Sequence, residues 1–290
     1  MTFFTTKEDI DYHVTHLKNN AQMQSSAYRL AYEDFDFMMR DELRPLRLQL
    51  ELLKPEITMS EHGITSTVVI FGSARTLDTV TAQVNLNKAT ENLAKNPDDK
   101  IYKQALLNAK QDVQKSYYYE QARALGSLIA NDNSEQEKPL FVVTGGGSGI
   151  MEAANRGASE AGGKSMGFNI VLPKEQMPNP YITPELCFQF HYFSIRKMHF
   201  LMRAKALVAF PGGFGTLDEV FDALTLIQTK KIRRVPVILF GKSYWNRIIN
   251  FNALVDEGAI SSEDLDLILY AETAIEAYNL LNELIVVDSD

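Results

Sequence analysis

The sequence predicts an α/β fold built on a parallel sheet, and three stretches predict it. Thr67–Phe71 runs into Gly72-Ser73, Leu140–Thr144 into Gly145-Gly146-Gly147-Ser148-Gly149, and Ala206–Phe210 into Pro211-Gly212-Gly213. Each is a short apolar strand, a glycine turn and then a helical pattern, which is the alternation that βαβ units produce. Glycine lets backbone come close to a ligand, and the helix N-terminus behind it offers unpaired N–H groups to an anion. Two or more such loops at the carboxyl ends of parallel strands can converge on one phosphorylated ligand.

Composition narrows the setting. A chain of 290 residues holds one large α/β domain with extensions, or two small domains. A net charge of −8 argues against nucleic acid as a partner. Cys187 is the single cysteine, so no intrachain disulfide forms; a reducing compartment fits, and in the strand-like run LCFQFHYF it reads as a small core residue. No apolar run reaches the roughly 18 residues of a membrane span, so no membrane partner is expected. The start, MTFFTTKEDI, lacks the basic flank and apolar core of a signal peptide, and a cytoplasmic location is the expectation.

Residues 1–65 read as a helical extension, without glycine before Gly63, and Pro45 should separate or kink the helices on either side of it. The rest, 66–290, reads as one nucleotide-binding domain. Thr67–Phe71 followed by Gly72-Ser73 is the first strand–loop of a Rossmann-like fold, with Arg75 within reach of a phosphate or simply solvated. Residues 76–116 are polar and read as a helical insertion, the expected helix resuming at Tyr117–Ala130. After the Gly145–Gly149 loop, Ala153, Ala154, Gly157, Ala158 and Ala161 form a small-residue helix face, ended by Gly162-Gly163. The loop is not a Walker A loop, because no GK[ST] follows.

Further strands are expected at Met166–Val171, Leu186–Tyr192 and Val235–Phe240, with a proline-rich surface loop at 173–185. A helix should begin near Phe193, capped by Ser194 and carrying Arg196 and Lys197, with His199 and Arg203 as neighbours of Arg196. Trp245 should anchor the next helix. Helical patterns recur at Ile248–Gly258 and Ala274–Leu284, and Ile285–Asp288 is a candidate edge strand or docking segment.

The third unit holds the chemistry. Leu217, Val220, Phe221, Leu224 and Ile227 or Gln228 mark the buried stripe of its helix. Glu219 is placed in the first turn, at the mouth of the pocket. Thr216 and Glu219 also fit the spacing of a capping box, in which Glu219 would serve only backbone N–H groups. His13, His16, His62, His191 and His199 make no metal-ligand spacing, and no GxSxG elbow is present.

Pro211–Glu219, PGGFGTLDE, resembles the PGGxGTxxE signature of the Lonely Guy (LOG) family of nucleoside 5′-monophosphate phosphoribohydrolases, also described as possible lysine decarboxylases. Gly145–Met151 is similar to that family's GGGxxGxM loop, and Arg196-Lys197 to its Arg-Lys pair; DELRPLRLQLELLKPE resembles the extension of larger bacterial members. The resemblance covers about residues 66–285, apart from 76–116. It implies a Rossmann-like doubly wound parallel sheet, with Glu219 and Arg196 catalytic. Gly72, Ser73, Arg75, Gly145, Gly146, Gly147, Gly149, Met151, Glu152, Lys197, Pro211, Gly212, Gly213, Gly215 and Thr216 would bind substrate. The implied reaction releases free base and ribose 5-phosphate from AMP or a cytokinin nucleotide, without metal or other cofactor, in a homodimer that the extension could enlarge. Two alternatives use the same fold: a carrier of nucleotide or molybdenum cofactor, and a nucleotide sensor.

Overall fold

The described residues of the computed structural model are 7, 20–132, 139–173 and 177–287. His13, His16 and Asp288 lie outside them. The chain divides into two compact units, residues 1–50 and 51–290. In the first, single helical turns at Ala21–Gln24 and Phe35–Met38 are capped by the side chains of Asn20 and Asp34. Helix α1 (Arg44–Glu61) runs across the division. Pro45 sits in its first turn, where a missing N–H costs nothing, and a short 3-10 turn at Asp41–Leu43 leads directly into the helix.

The second unit is a seven-stranded, all-parallel sheet in the order β4-β3-β2-β1-β5-β6-β7. The strands are β1 (Ser66–Phe71), β2 (Leu140–Thr144), β3 (Ser165–Ile170), β4 (Cys187–Phe190), β5 (Ala204–Ala209), β6 (Val237–Phe240) and β7 (Ile268–Ala271). Helices cover both faces. On one, α3 (Lys100–Asp132), α4 (Ile150–Glu160) and α9 (Ala274–Val287) pack on Val68, Ile70, Val142, Val208 and Ile238. On the other, α5 (Phe193–Met202), α6 (Phe214–Gln228), α7 (Lys242–Ile248) and α8 (Phe251–Asp256) pack on Val69, Phe71, Val143, Leu207 and Leu239. Burial on both faces is why these strands read as unbroken apolar runs. Trp245 of α7 is fully buried and donates its indole N–H to Phe240 O at 3.0 Å.

Several boundaries differ from those the sequence suggests. Helix α2 (Thr79–Lys95) is followed by one continuous 33-residue α3, so the helix expected to resume at Tyr117 begins at Lys100. Strand β4 stops at Phe190 because the Glu51 carboxylate takes the N–H groups of His191 and Tyr192, at 2.7 and 3.1 Å. Helix α5 starts at Phe193, where the sequence puts it, but its N-cap is Tyr192; Ser194 lies inside the first turn. Residues 285–287 continue α9 instead of forming a strand. Cys187 is half-buried rather than a core residue. The proline-rich segment is not merely surface, since Asn179 and Ile182 within it are buried. Among the described residues, no helix is long and apolar enough to cross a membrane.

Helices α3 and α4 touch backbone to backbone through glycine. A Cβ on Gly157 would lie 1.8 Å from Arg123 O, and one on Gly126 would lie 2.2 Å from Ala154 O. Backbone on both sides leaves no flexible side chain to yield. Gly157→Ala should therefore cost about 3 kcal/mol of folding stability, read as a lower urea midpoint at unchanged slope.

Candidate active site

The sheet reverses its direction of growth between β1 and β5: from β1 the strands run outward through β2, β3 and β4, and from β5 through β6 and β7. Such a switch point leaves a crevice at the carboxyl ends of its strands. Three loops meet there, 72–75 after β1, 145–149 after β2 and 211–213 after β5. They are bonded to one another: Ser73 N to Pro211 O (3.0 Å), Ile150 N to Ser73 O (3.1 Å) and Ser148 Oγ to Ala74 O (2.8 Å).

The middle loop needs glycine for defined reasons. Gly146 and Gly149 have φ of +73° and +68°, and a Cβ would lie 2.1 Å from Asn169 Oδ1 at the first and 2.2 Å from Ser73 O at the second. A buried polar network fixes this loop from below. Thr144 Oγ1 accepts from Gly146 N and donates to Asn155 Oδ1 at 2.7 Å; Asn155 Nδ2 donates to Ser165 Oγ at 2.9 Å. Asn179 Nδ2 donates to Gly147 O and to Asn155 Oδ1, each at 3.0 Å. None of these four side chains stands out in the sequence, because only the fold brings 144, 155, 165 and 179 together.

Helices α5 and α6 supply the ionisable pair. Arg196 Nη2 lies 3.7 Å from Glu219 Oε1, with 14% of the first side chain and 7% of the second exposed. Burial pushes the Glu219 carboxyl up to about 7, although the cations of Arg196 and Lys197 pull it down. Burial likewise lowers the Arg196 guanidinium, and its Nε has no partner among the described residues. The guanidinium stacks over Phe193 and Phe200, 5.0 and 5.6 Å from the ring centres, and Nη1 approaches Phe168 O at 3.5 Å. Its position over the middle loop is plain from Gly145, whose Cβ would lie 2.9 Å from Met151 Sδ and 4.0 Å from Arg196 Nη1.

The cap reading of Glu219 fails on geometry. Helix α6 is N-capped by Gly213 without a side-chain bond, so Thr216 is the third helical residue and Glu219 the sixth, in the second turn. Thr216 is buried against Gly212, whose Cβ would meet Thr216 Oγ1 at 2.1 Å. A Cβ on Gly213 or Gly215 would meet nothing, so open space lies above that loop. The buried stripe of α6 is Thr216, Glu219, Val220, Ala223 and Ile227; Phe221 is exposed and touches the Phe251 ring, and Leu217 and Leu224 are half-buried.

Other candidate residues disperse. Gly72 packs on Ile150, and Pro211 and Gly212 line an open cleft with Ser73 and exposed Arg75. Glu152 turns to Tyr119 of α3, whose hydroxyl donates to it at 2.9 Å. Lys197 pairs with Asp218 at 3.0 Å and approaches Asp222 at 3.8 Å. His199 and Arg203 face α1 instead of Arg196: His199 Nδ1 lies 3.5 Å from Glu56 Oε1, and Arg203 Nη2 lies 2.9 Å from Glu56 Oε2 and also donates to Ser60 Oγ. Glu51 and Glu56 thus hold α5 in place, a role no motif announces.

Fold and site together define a Rossmann-like α/β protein with a buried carboxylate beside two glycine loops. Comparison with known proteins gives the family. A family pattern described as "Possible lysine decarboxylase" matches residues 151–281. The cytokinin riboside 5′-monophosphate phosphoribohydrolase LOG7 of Arabidopsis thaliana is 34% identical over 175 residues, 58% of this chain and 76% of that protein. Its counterpart LOG of Oryza sativa subsp. japonica is 30% identical over 175 residues, 58% of this chain and 68% of that protein. Among solved structures, the molybdenum cofactor carrier protein of Chlamydomonas reinhardtii aligns at 20% identity and a TM-score of 0.45, over 77% of this chain and 99% of that one. The chain belongs to the LOG family of cytokinin riboside 5′-monophosphate phosphoribohydrolases.

A carboxyl raised from its ordinary 4.5 to about 7 binds a proton more tightly in the folded chain than in the unfolded one. Its contribution to stability is therefore complete below pH 4.5 and lost as the pH rises through 7. Glu219→Gln removes that loss. The variant should be more stable than the parent above pH 7, by about 3 kcal/mol at most, with the difference closing toward pH 4.5. Urea unfolding at pH 5 and pH 8 checks it.

Proposed function

We propose that the chain hydrolyses the N-glycosidic bond of a nucleoside 5′-monophosphate, AMP or a cytokinin nucleotide, to free base and ribose 5-phosphate. The observation that carries this reading is the buried Arg196–Glu219 pair beside the loops at the switch point. Breaking the bond between C1′ and the base leaves positive charge on the ribose, in an oxocarbenium-like transition state. An ionised Glu219 stabilises that charge. With its carboxyl raised to about 7, Glu219 also takes the proton of the attacking water near neutral pH. The bonding pair leaves with the base, water oxygen joins C1′, and the proton lost by water balances the one the base gains.

The other residues have positioning roles in this reading. Arg196 orients Glu219 and keeps enough of it ionised, since its cation opposes the effect of burial. The open space above Gly213 and Gly215 admits the 5′-phosphate to the N-terminus of α6, next to Thr216, with the Gly145–Gly149 loop opposite. Met151 borders the base. Incubating the purified chain with a panel that includes AMP and isopentenyl-AMP should release base and ribose 5-phosphate from at least one member. Glu219→Gln should lower that turnover by about 10³-fold or more while nucleotide binding persists. Intact nucleotide across the whole panel would overturn the reading.

The active form is a homodimer in this proposal. Met198 and Met202 of α5 are each 48% exposed and line a groove of about 1010 Å³ with Leu201, Leu226 and Val235, beside charged residues that include Lys205, Lys231 and Asp222, alongside the helices that carry Arg196 and Glu219. A second copy seated there would adjoin the site. Sedimentation should give twice the chain mass, and Met202→Asp should shift it toward monomer with a parallel loss of turnover.

A further inference from the structure

Beside the β5 loop lies an open cleft of about 890 Å³, whose floor is shared with the loops read as binding substrate but whose walls are not. One wall is the first half of α3, the segment that reads as an insertion, and the other is α7. The loops after β1 and β5 form its floor. Three cations from three separate elements face it: Arg75 from the β1 loop, Lys115 from α3 and Arg247 from α7. None of the three forms an ion pair with a described residue. Asp112 is the single carboxylate among the described residues of the lining. In a chain of net charge −8, this is a local surplus of unpaired positive charge.

We propose that this cleft binds a nucleotide carrying more than one phosphate, as a ligand distinct from the monophosphate at Glu219. Its volume suits a nucleotide. Three unpaired cations exceed the needs of one monophosphate and match a di- or triphosphate, which guanidinium groups grip in bidentate fashion. Asp112 can accept from ribose hydroxyls or an exocyclic amine. The cleft also reaches the candidate active site directly, because Tyr244 in its wall donates its hydroxyl to Gly212 O at 2.5 Å. An occupant pressing on Tyr244 acts on the loop that begins α6 and so on Glu219.

The test is calorimetric titration of the full chain with ATP and with inorganic tripolyphosphate. ATP should bind at one site per chain, and the Lys115→Ala/Arg247→Ala double variant should weaken it by about tenfold or more. Both side chains are exposed, and an unchanged melting temperature would verify that the variant is folded. Arg75 is left intact because it also adjoins the proposed substrate loops. In the Glu219→Gln chain, saturating AMP should leave the ATP affinity within about threefold. Absence of ATP binding, equal affinity in the double variant, or one-for-one displacement by AMP would each overturn the proposal. Tripolyphosphate binding as tightly as ATP would confine it to inorganic polyphosphate and remove the nucleoside. These outcomes do not depend on whether the chain cleaves AMP, so failure here and failure of the hydrolytic reading are told apart.

Discussion

Everything near the switch point depends on one constraint: a carboxylate and a guanidinium are held together inside a core that disfavours both charges. Moving such a pair out of water is costly, and a 3.7 Å separation with Arg196 Nε unpartnered among the described residues does not offset that in full. The surrounding structure sustains the strain. The Phe193 and Phe200 rings lie against the guanidinium, a continuous apolar layer backs α6, and Glu51 and Glu56 fasten α5 from behind. A site of this kind is poised, since a ligand that brings hydroxyls and charge to the pair completes interactions the protein alone leaves open.

The loops around the pair divide the work. The middle loop is rigid, because a chain of buried side chains from Thr144 to Asn179 satisfies its backbone and Gly146 and Gly149 hold conformations other residues resist. The β5 loop is more open, with free space over Gly213 and Gly215 and one contact from Tyr244 at its edge. Rigidity on one side with access on the other suits a ligand that slides in over α6 against a fixed wall.

Much of this was legible in the sequence, for identifiable reasons. Strands buried on both faces are apolar throughout, so Thr67–Phe71, Leu140–Thr144 and Ala206–Phe210 could be read without structure. Glycines needed for close approach leave a pattern, and Glu219 follows from its place behind one. What could not be read are features made by tertiary contact. The Thr144–Asn155–Ser165–Asn179 network spans 36 residues of chain and consists of ordinary polar side chains. The start of α5 at Phe193 is legible, but not what fastens it, because the N–H groups just before it are taken by Glu51, 142 residues before Phe193, and not by the adjacent Ser194. The helix pattern from Lys100 onward was diluted by Asn, Gln and Lys on an exposed face, which hid its continuity with Tyr117.

The bond between α1 and α5 bears on how such a chain can be divided. Residues 51–61 share the compact unit of the sheet, and their acidic side chains satisfy the N-terminus of α5 and the Arg203 guanidinium at its other end. A chain cut just before β1 would retain every strand and every glycine loop. It would also expose two orphan N–H groups and an unpaired arginine on the very helix that carries Arg196. The second half of α1 is thus not an appendage that recombination could trade freely. Any ancestor or relative that lacks it must anchor that helix by other means, and the length of chain in front of the first strand is tied to the chemistry behind the fifth.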